Sequence, residues 1–266
     1  MTIMAAELIC AVVIVLAAIF YYHSRIFRYY TKFAIFYTII TISATILIPL
    51  MLFKPRDYRN ASLPFWGVRQ VSKILGLKWE IRGHENIVQD VGTVVVANHQ
   101  SFLDLLVLAE IWTVLDRCTI IVKQEIFYAW PFGLVCWLCG VVFINRKNSK
   151  DAHNAINKAA QTINTKKAKI IIAPEGTRHE GDTLLPFKKG AFHIAIASQA
   201  PIQPVVISRF KFLDHKAYKF DRGNLVISIL PVIETAGLTI KDLESVIRRA
   251  YEAMTKEYNI LNQSQN

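Results

Sequence analysis

Cysteine is scarce in this sequence, and its few thiols are poorly arranged for a metal site. There are four cysteines, and Cys136 and Cys139 have CxxC spacing. This pair lies inside an apolar run without a second pair or a nearby histidine, whereas a structural zinc ion takes four ligands. We therefore predict no metal site and interpret the cysteines as buried thiols in a reducing compartment, where apolar surroundings disfavour a reactive thiolate.

The sequence also lacks a hydrolase motif and has few acidic residues, and each shortage limits the functions that it could have. The sequence has no GxSxG motif, so the nucleophilic serine of an α/β-hydrolase is not indicated. Acidic residues are outnumbered, with 20 Asp and Glu against 31 Lys and Arg and a net charge of +11. Such a basic chain suits either nucleic acid or anionic membranes and phosphorylated substrates. Zinc-finger, homeodomain and RNA-binding motifs are missing and long apolar runs are present, so we expect a phospholipid membrane and no nucleic acid partner.

The long apolar runs begin near the N-terminus. Residues 3–22 contain one charged residue, Glu7, and residues 33–53 contain none. At about 1.5 Å per residue the second run is long enough to cross a hydrocarbon core of about 30 Å. No Lys or Arg precedes the first run, so we interpret it as a retained anchor rather than a signal peptide. We predict membrane-anchoring helices within residues 1–59 and a second domain over residues 60–266. Basic residues follow both runs, which leaves their orientation open.

Strand-like and helix-like segments alternate through the second domain, which predicts an α/β fold. Short β-branched runs indicate strands, and longer amphipathic or capped runs indicate helices. The predicted strands cover residues 78–82, 93–97, 118–122, 141–144, 168–173, 202–208 and 224–232. The predicted helices cover residues 66–77, 149–165, 190–200 and 241–258, with one more starting at Ser101.

A polar cluster follows the predicted strand 93–97, at the point where α/β folds place ligands. His99 ends the apolar run, and Asp104 lies in the first turn of the next predicted helix. One interpretation is a capping box, with Ser101 as the N-cap and Asp104 three residues later. The other is a His–Asp dyad, in which the histidine accepts a proton from a hydroxyl and the carboxylate orients the ring. Asp104 could serve both roles.

Five segments carry a resemblance to one family. NHQSFLD at residues 98–104 resembles the HxxxxD motif of the glycerolipid acyltransferases, and PEGTR at residues 174–178 resembles their second signature. GVVFINR at residues 140–146 and PIQPVVI at residues 201–207 are similar to two further blocks of the family. LPFKKGAFH at residues 185–193 resembles the 1-acylglycerol-3-phosphate acyltransferase branch in particular.

The resemblance implies a fold, a reaction and a location. The fold would be a mixed central sheet flanked by helices and preceded by N-terminal membrane helices. The reaction would transfer an acyl chain from acyl-CoA to the sn-2 hydroxyl of lysophosphatidic acid, giving phosphatidic acid. Acyl-CoA would be a co-substrate, and no cofactor is expected. The protein would be an integral membrane enzyme of the endoplasmic reticulum with its catalytic domain on the cytosolic side.

The resemblance also assigns roles to residues. His99 would be the general base, Asp104 would orient it, and Pro204 would contact the acyl chain. Arg178 suits a phosphate because its guanidinium is a planar fork, and Gly176 lets the backbone approach an anion. We expect Glu175 to hold Arg178 or a backbone N–H in place. The candidate phosphate-binding residues are Lys123, Arg146, Glu175, Gly176, Thr177, Arg178 and Lys189.

A third apolar run, residues 126–144, also lacks charge. We predict that it does not cross the membrane, because His99 and residues 175–178 would then face opposite compartments. Pro131 and two glycines divide it into a helix and the strand 141–144. We expect it to be protein core or a surface that dips into lipid.

Three other functions compete with this assignment. The acceptor could be glycerol 3-phosphate or another lysophospholipid. The same dyad could activate water in a thioester or phospholipid hydrolase, which would not need two phosphate-binding arginines. A membrane-shaping protein without enzymatic activity would use the apolar helices and the basic surface, but would leave the polar residues after the strands unexplained.

Overall fold

Seven strands of the described chain form one sheet with helices on both faces. The computed structural model describes residues 2–144 and 149–263. The helices are α1 (Thr2–His23), α2 (Arg25–Met51), α3 (Ser62–Leu75), α4 (Asp104–Ile111), α5 (Phe132–Leu138), α6 (Ser149–Lys166), α7 (Gly190–Ser198) and α8 (Leu243–Gln263). The strands are β1 (Leu77–Arg82), β2 (Thr93–Ala97), β3 (Cys118–Lys123), β4 (Val142–Ile144), β5 (Lys169–Ile172), β6 (Ile202–Ile207), β7 (Leu213–Asp214), β8 (Lys219–Phe220) and β9 (Gly223–Ile229).

The sheet has the order β1-β9-β6-β2-β5-β3-β4 and is mixed. Neighbouring strands run parallel except β6 and β9, which are antiparallel. The predicted α/β class with a mixed central sheet is therefore confirmed. Because β2 and β5 lie side by side and parallel, the residues that follow them emerge at the same edge of the sheet.

Alternating side chains of the central strands form two cores. Val95 and Ala97 of β2 face one core, which α2, α3, α4 and α5 cover. Val94 and Val96 face the other core, which α6, α7 and α8 cover. Since all five residues of β2 are buried, both cores exclude water from the central strand.

The first two helices are long and apolar enough to cross a membrane, by length and composition. They differ in how they meet the rest of the chain. Nearly all described residues of α1 are exposed, whereas α2 buries Phe36, Ile40, Ala44 and Met51. α2 also starts at Arg25, before the predicted residue 33, because Ser24 caps it through a hydrogen bond from Phe27 N. The boundary after residue 59 stays a prediction.

Several element boundaries differ from the sequence-based expectation. α3 ends at Leu75 rather than at residue 77, because Gly76 has φ = +75° and terminates the helix. α4 begins at Asp104, not at Ser101. The predicted strand in residues 141–144 is present as β4, and α5 precedes it. The β7–β8 hairpin was not predicted, since two-residue strands carry no readable alternation.

Candidate active site

His99 and Asp104 form a close pair at the carboxyl end of β2. His99 Nδ1 lies 2.5 Å from Asp104 Oδ2. The His99 side chain is 35% exposed and that of Asp104 is 14% exposed, so the ring reaches solvent while its carboxylate partner is shielded. Among the described residues, none forms a hydrogen bond with His99 Nε2. That nitrogen is therefore available to a substrate hydroxyl.

Asp104 is not the third residue of a capping box. The helix begins at Asp104 itself, and Ser101 Oγ accepts a hydrogen bond of 3.4 Å from Leu103 N within the preceding turn. Asp104 Oδ2 instead accepts a hydrogen bond of 2.8 Å from Gln100 N, in addition to its contact with the His99 ring. The carboxylate thus fixes both the turn and the histidine.

The buried side-chain amides of Asn98 and Gln100, which the sequence analysis missed, hold the same turn through hydrogen bonds to the backbone after β6 and at its end. Asn98 donates to Ile207 O at 3.0 Å and accepts from Ile207 N at 2.8 Å, which ties the turn to β6. Gln100 donates to Ser208 O at 3.0 Å and accepts from Phe210 N at 3.1 Å. The sequence did contain a signal for them, since both amides come directly after a strand with mainly apolar residues. Polar groups at such a place stay buried only when their hydrogen bonds are satisfied.

Glu175 connects the two signature loops, which contain residues 98–104 and residues 174–178. Its contact with His99 spans 76 residues of sequence. Its side chain is buried, with 3% exposure. Glu175 Oε1 accepts a hydrogen bond of 3.0 Å from His99 N, and Oε2 accepts one of 2.9 Å from Leu185 N. His99 O in turn accepts from His179 N at 2.8 Å. Of the two roles expected for Glu175, the described contacts show the bond to backbone N–H groups.

The loop after β5 presents its cationic residue to solvent. Gly176 has φ = +69°, in the left-handed region that favours glycine. Thr177 and Arg178 follow it and are exposed. Among the described residues, no carboxylate lies within ion-pair distance of Arg178. Its guanidinium is therefore free to bind an anion.

The remaining predicted residues lie in different surroundings. Lys123 is exposed at the end of β3, in register with Ile144. Lys189 Nζ lies 2.5 Å from Glu244 Oε1 of α8. Pro204 is buried inside β6, in register with Val96. Arg146 lies outside the described residues.

Two pockets border this region. One, of about 290 Å³, is lined by Gln100 and Ser101 of the turn between β2 and α4, together with Glu180, Arg209 and His215 among others. The other, of about 310 Å³, lies between α6, α7 and the ends of β4 and β5, and includes Gly176 and Lys188. The site thus has both polar and apolar space next to the two signature loops.

The cysteines are poorly placed for nucleophilic chemistry. Burial raises the pKa of the Cys136 thiol to about 11 and raises the pKa values of Cys118 and Cys139 further. A raised pKa leaves these groups as neutral thiols at neutral pH. Within residues 2–144 and 149–263, no cluster of three His, Cys, Asp or Glu residues could hold a metal ion.

Comparisons with known proteins agree with this arrangement. Residues 78–208 match the family model described as Acyltransferase. 1-acyl-sn-glycerol-3-phosphate acyltransferase alpha of Homo sapiens is 36% identical over 216 residues, covering 81% of this chain and 76% of that relative. The beta enzyme of Homo sapiens is 37% identical over 216 residues, covering 80% and 77%.

A solved structure shares the fold. The crystal structure of the 1-acyl-sn-glycerophosphate (LPA) acyltransferase PlsC from Thermotoga maritima has a TM-score of 0.66 and 23% sequence identity, covering 88% of this chain and 97% of that one. At that identity the structural match supports the fold, and the two human relatives support the family. This chain belongs to the 1-acyl-sn-glycerol-3-phosphate acyltransferase family.

Proposed function

We propose that this protein transfers an acyl chain from acyl-CoA to the sn-2 hydroxyl of lysophosphatidic acid and so forms phosphatidic acid. The two human relatives are 1-acyl-sn-glycerol-3-phosphate acyltransferases, which supports this acceptor. The geometric observation that carries the mechanism is the 2.5 Å contact between His99 Nδ1 and Asp104 Oδ2. A histidine with one ring nitrogen held by a carboxylate can accept a proton at the other.

In the proposed reaction His99 is the general base. Its Nε2 takes the proton of the acceptor hydroxyl while the hydroxyl oxygen attacks the thioester carbonyl carbon. The tetrahedral intermediate then collapses, the carbon–sulfur bond breaks, and the departing CoA sulfur takes the proton back from His99. Asp104 keeps the ring in the required tautomer and stabilises the imidazolium between these steps. No covalent enzyme intermediate is needed.

Glu175 supports the base without touching the reacting atoms. Its hydrogen bonds to His99 N and Leu185 N fix the backbone of both loops. Effective general-base catalysis depends on such fixed geometry, because the base must lie within hydrogen-bond distance of the proton it removes. Glu175 is therefore proposed as a positioning residue.

The phosphate of the acceptor is proposed to bind at the cationic side of the loop after β5. Arg178 is exposed there and offers two parallel N–H donors to phosphate oxygens. Gly176 and Thr177 are proposed to place their backbone close to the same phosphate. Lys123, at the end of β3, is proposed to add positive charge. Arg146 is proposed as a second phosphate ligand on the strength of its motif, and Pro204 as an acyl contact.

The membrane location is part of the same proposal. α1 and α2 supply the apolar length for anchoring. We propose that they hold the enzyme in the endoplasmic reticulum membrane with the catalytic domain on the cytosolic side, where acyl-CoA is made. Fluorescence protease protection of tagged protein in cells tests this orientation. A protease acting from the cytosol is expected to cleave a C-terminal tag, and full protection of the tag would indicate the opposite orientation.

CoA release by the purified protein in detergent tests the reaction. Oleoyl-CoA is supplied with lysophosphatidic acid, glycerol 3-phosphate, lysophosphatidylcholine or no acceptor, and the lipid product is identified by mass spectrometry. Release only with lysophosphatidic acid, with phosphatidic acid as product, is expected. Release with another acceptor would mean that the acceptor is a different one. Acceptor-independent release would indicate a hydrolase, and no release by folded protein would favour the membrane-shaping role.

A further inference from the structure

Two consecutive lysines follow the second signature loop, and the structure turns them in different directions. Lys189 Nζ lies 2.5 Å from Glu244 Oε1, in an exposed ion pair with α8. Lys188 points to the other side and folds over Gly176. A Cβ atom placed on Gly176 would lie 2.7 Å from Lys188 Cδ and 2.8 Å from Nζ. The absence of a side chain at position 176 therefore makes room for Lys188.

The position of Lys188 is fixed from both ends. Its backbone N donates a hydrogen bond of 2.8 Å to Pro174 O, two residues after the end of β5. Its ammonium end lies in the space that a side chain at position 176 would fill, beside Glu175, and Glu175 is hydrogen bonded to His99 N. The ammonium is thus held beside the loop that positions the histidine.

The charge of Lys188 is not neutralised within the described chain. Among those residues, no carboxylate lies within 4.0 Å of its Nζ. The nearby Glu175 carboxylate is already engaged by two backbone N–H groups. Arg178, in the same loop, is also exposed. Two cations that flank Gly176 and lack a carboxylate partner make this a place for an anion.

The pocket behind Lys188 indicates what kind of anion. Among the described residues that line it, Lys188 alone is charged, and the walls are Ile, Ala, Gly and Pro, including Ile156, Ile172 and Ile194. A single ammonium beside apolar walls suits an amphiphile with an anionic head group and a hydrocarbon chain. A purely polar anion would leave those walls without a partner.

We propose that Lys188, and not its neighbour Lys189, binds the phosphate of the lipid acceptor. The identity of the acceptor rests on the proposed function, whereas the contrast between the two lysines rests on geometry. Lys188 is a substrate-binding residue in this assignment. It acts with Arg178, which approaches the phosphate from the same loop.

Substitution of each lysine by methionine tests the contrast, because methionine keeps an unbranched stem and removes the charge. For Lys188→Met we expect the KM for lysophosphatidic acid to rise about tenfold or more, as expected when a charged hydrogen bond is lost, with kcat within about threefold. Lys188→Arg should recover most of the affinity. Lys189→Met should change KM by less than about twofold, since it removes only an exposed ion pair.

Equilibrium binding separates this inference from the proposed reaction. Titration calorimetry with short-chain lysophosphatidic acid and with monoacylglycerol, which lacks the phosphate, is run on the same four proteins. Weaker binding of lysophosphatidic acid alone in Lys188→Met supports the inference even if the wild-type protein shows no turnover. Equal losses for both lipids, unchanged KM and Kd, an effect confined to Lys189→Met, or no binding by folded wild-type protein would each overturn it.

Discussion

The protein holds two histidine–carboxylate pairs, His99–Asp104 and His215–Glu180, and they are built differently. In the first, His99 Nδ1 contacts Asp104 Oδ2 at 2.5 Å. In the second, His215 Nε2 lies 3.3 Å from Glu180 Oε1, and His215 Nδ1 lies 2.5 Å from the Tyr29 hydroxyl. His215 therefore has both ring nitrogens engaged, whereas the described partners of His99 leave Nε2 open.

The two pairs also differ in how firmly they are held. Asp104 is 14% exposed and is fixed by Gln100 N, and Glu175 fixes the backbone of His99. The side chains of His215 and Glu180 are 43% and 53% exposed and come from separate loops. In the proposed mechanism, a histidine beside a carboxylate is not enough for a general base. The base needs a free nitrogen and a fixed backbone.

His215 has a different use. Its partner Tyr29 belongs to α2, and Lys32 of the same helix donates a hydrogen bond of 2.7 Å to Phe220 O of the β7–β8 hairpin. Phe36 of α2 also packs against Phe102 of the turn between β2 and α4, with ring centroids 5.9 Å apart. The second pair thus helps to dock α2 on the part of the chain that carries the site.

The largest difference between the pairs should appear on removal of each histidine. We expect His99→Ala to lower kcat by about 10²–10⁴-fold, because general-base catalysis is lost. His215→Ala is the matched control and should keep kcat within about threefold. CoA release with lysophosphatidic acid measures both, and circular dichroism checks the fold. Near-normal turnover in folded His99→Ala protein would refute the assignment of the base.

Substitution of the two carboxylates should show the same contrast between the pairs, with a smaller effect on kcat. Asp104→Asn can keep an oxygen for the ring and for Gln100 N, but it removes the negative charge that stabilises the imidazolium, so it should lower kcat roughly 10²-fold. Glu180→Gln, its counterpart in the exposed pair, should change kcat by less than about threefold. Equal losses in the two variants, measured by the same assay, would show that the exposed pair also contributes to catalysis.

Glu175→Gln tests whether backbone positioning distinguishes the first pair. The amide keeps one acceptor oxygen but directs N–H groups at a second N–H donor, so one charged hydrogen bond is lost. We expect the free energy of unfolding to fall by about 1.5–3 kcal/mol and kcat to fall about tenfold. Urea denaturation and steady-state kinetics provide the two values. A stability loss without any change in kcat would make Glu175 structural only.

The smallest effect should come from Tyr29→Phe, which removes one hydrogen bond from the second pair. We expect the free energy of unfolding to fall by about 0.5–1.5 kcal/mol while kcat stays within about twofold. Thermal unfolding in detergent and CoA release measure these quantities. A drop in kcat as large as that of Asp104→Asn would mean that α2 controls the turn between β2 and α4 through His215.

Much of the fold could be predicted from local sequence. The strand predicted over residues 93–97 has the same bounds as β2, because Thr93 and four apolar residues stand between Gly92 and Asn98 and leave little alternative. The start of α4 could not be predicted in the same way. Ser101 and Asp104 have capping-box spacing, but Asp104 is held by Gln100 N and the His99 ring, which delays the helix to Asp104.

The partners of the site residues were less predictable than their motifs. The spacing of Lys188 and Lys189 gives no reason to prefer either one, and the sequence-based prediction named Lys189. The Glu244 contact and the space over Gly176 separate them only in the folded chain. Similarly, α1 and α2 are both strongly apolar, but within their described residues α2 alone buries a face against the α/β domain.

Local sequence was enough to predict the α/β class, the two apolar N-terminal helices, and the spacing that allows His99 to meet Asp104. These depend on neighbours within a few residues, whose periodicity and turn chemistry are local properties. The folded chain was needed to see that Glu175 accepts a hydrogen bond from His99 N, that Tyr29 contacts His215, and that Lys188 lines the pocket. Such partners come from distant segments, and they are set by the packing of strands and helices around the two cores.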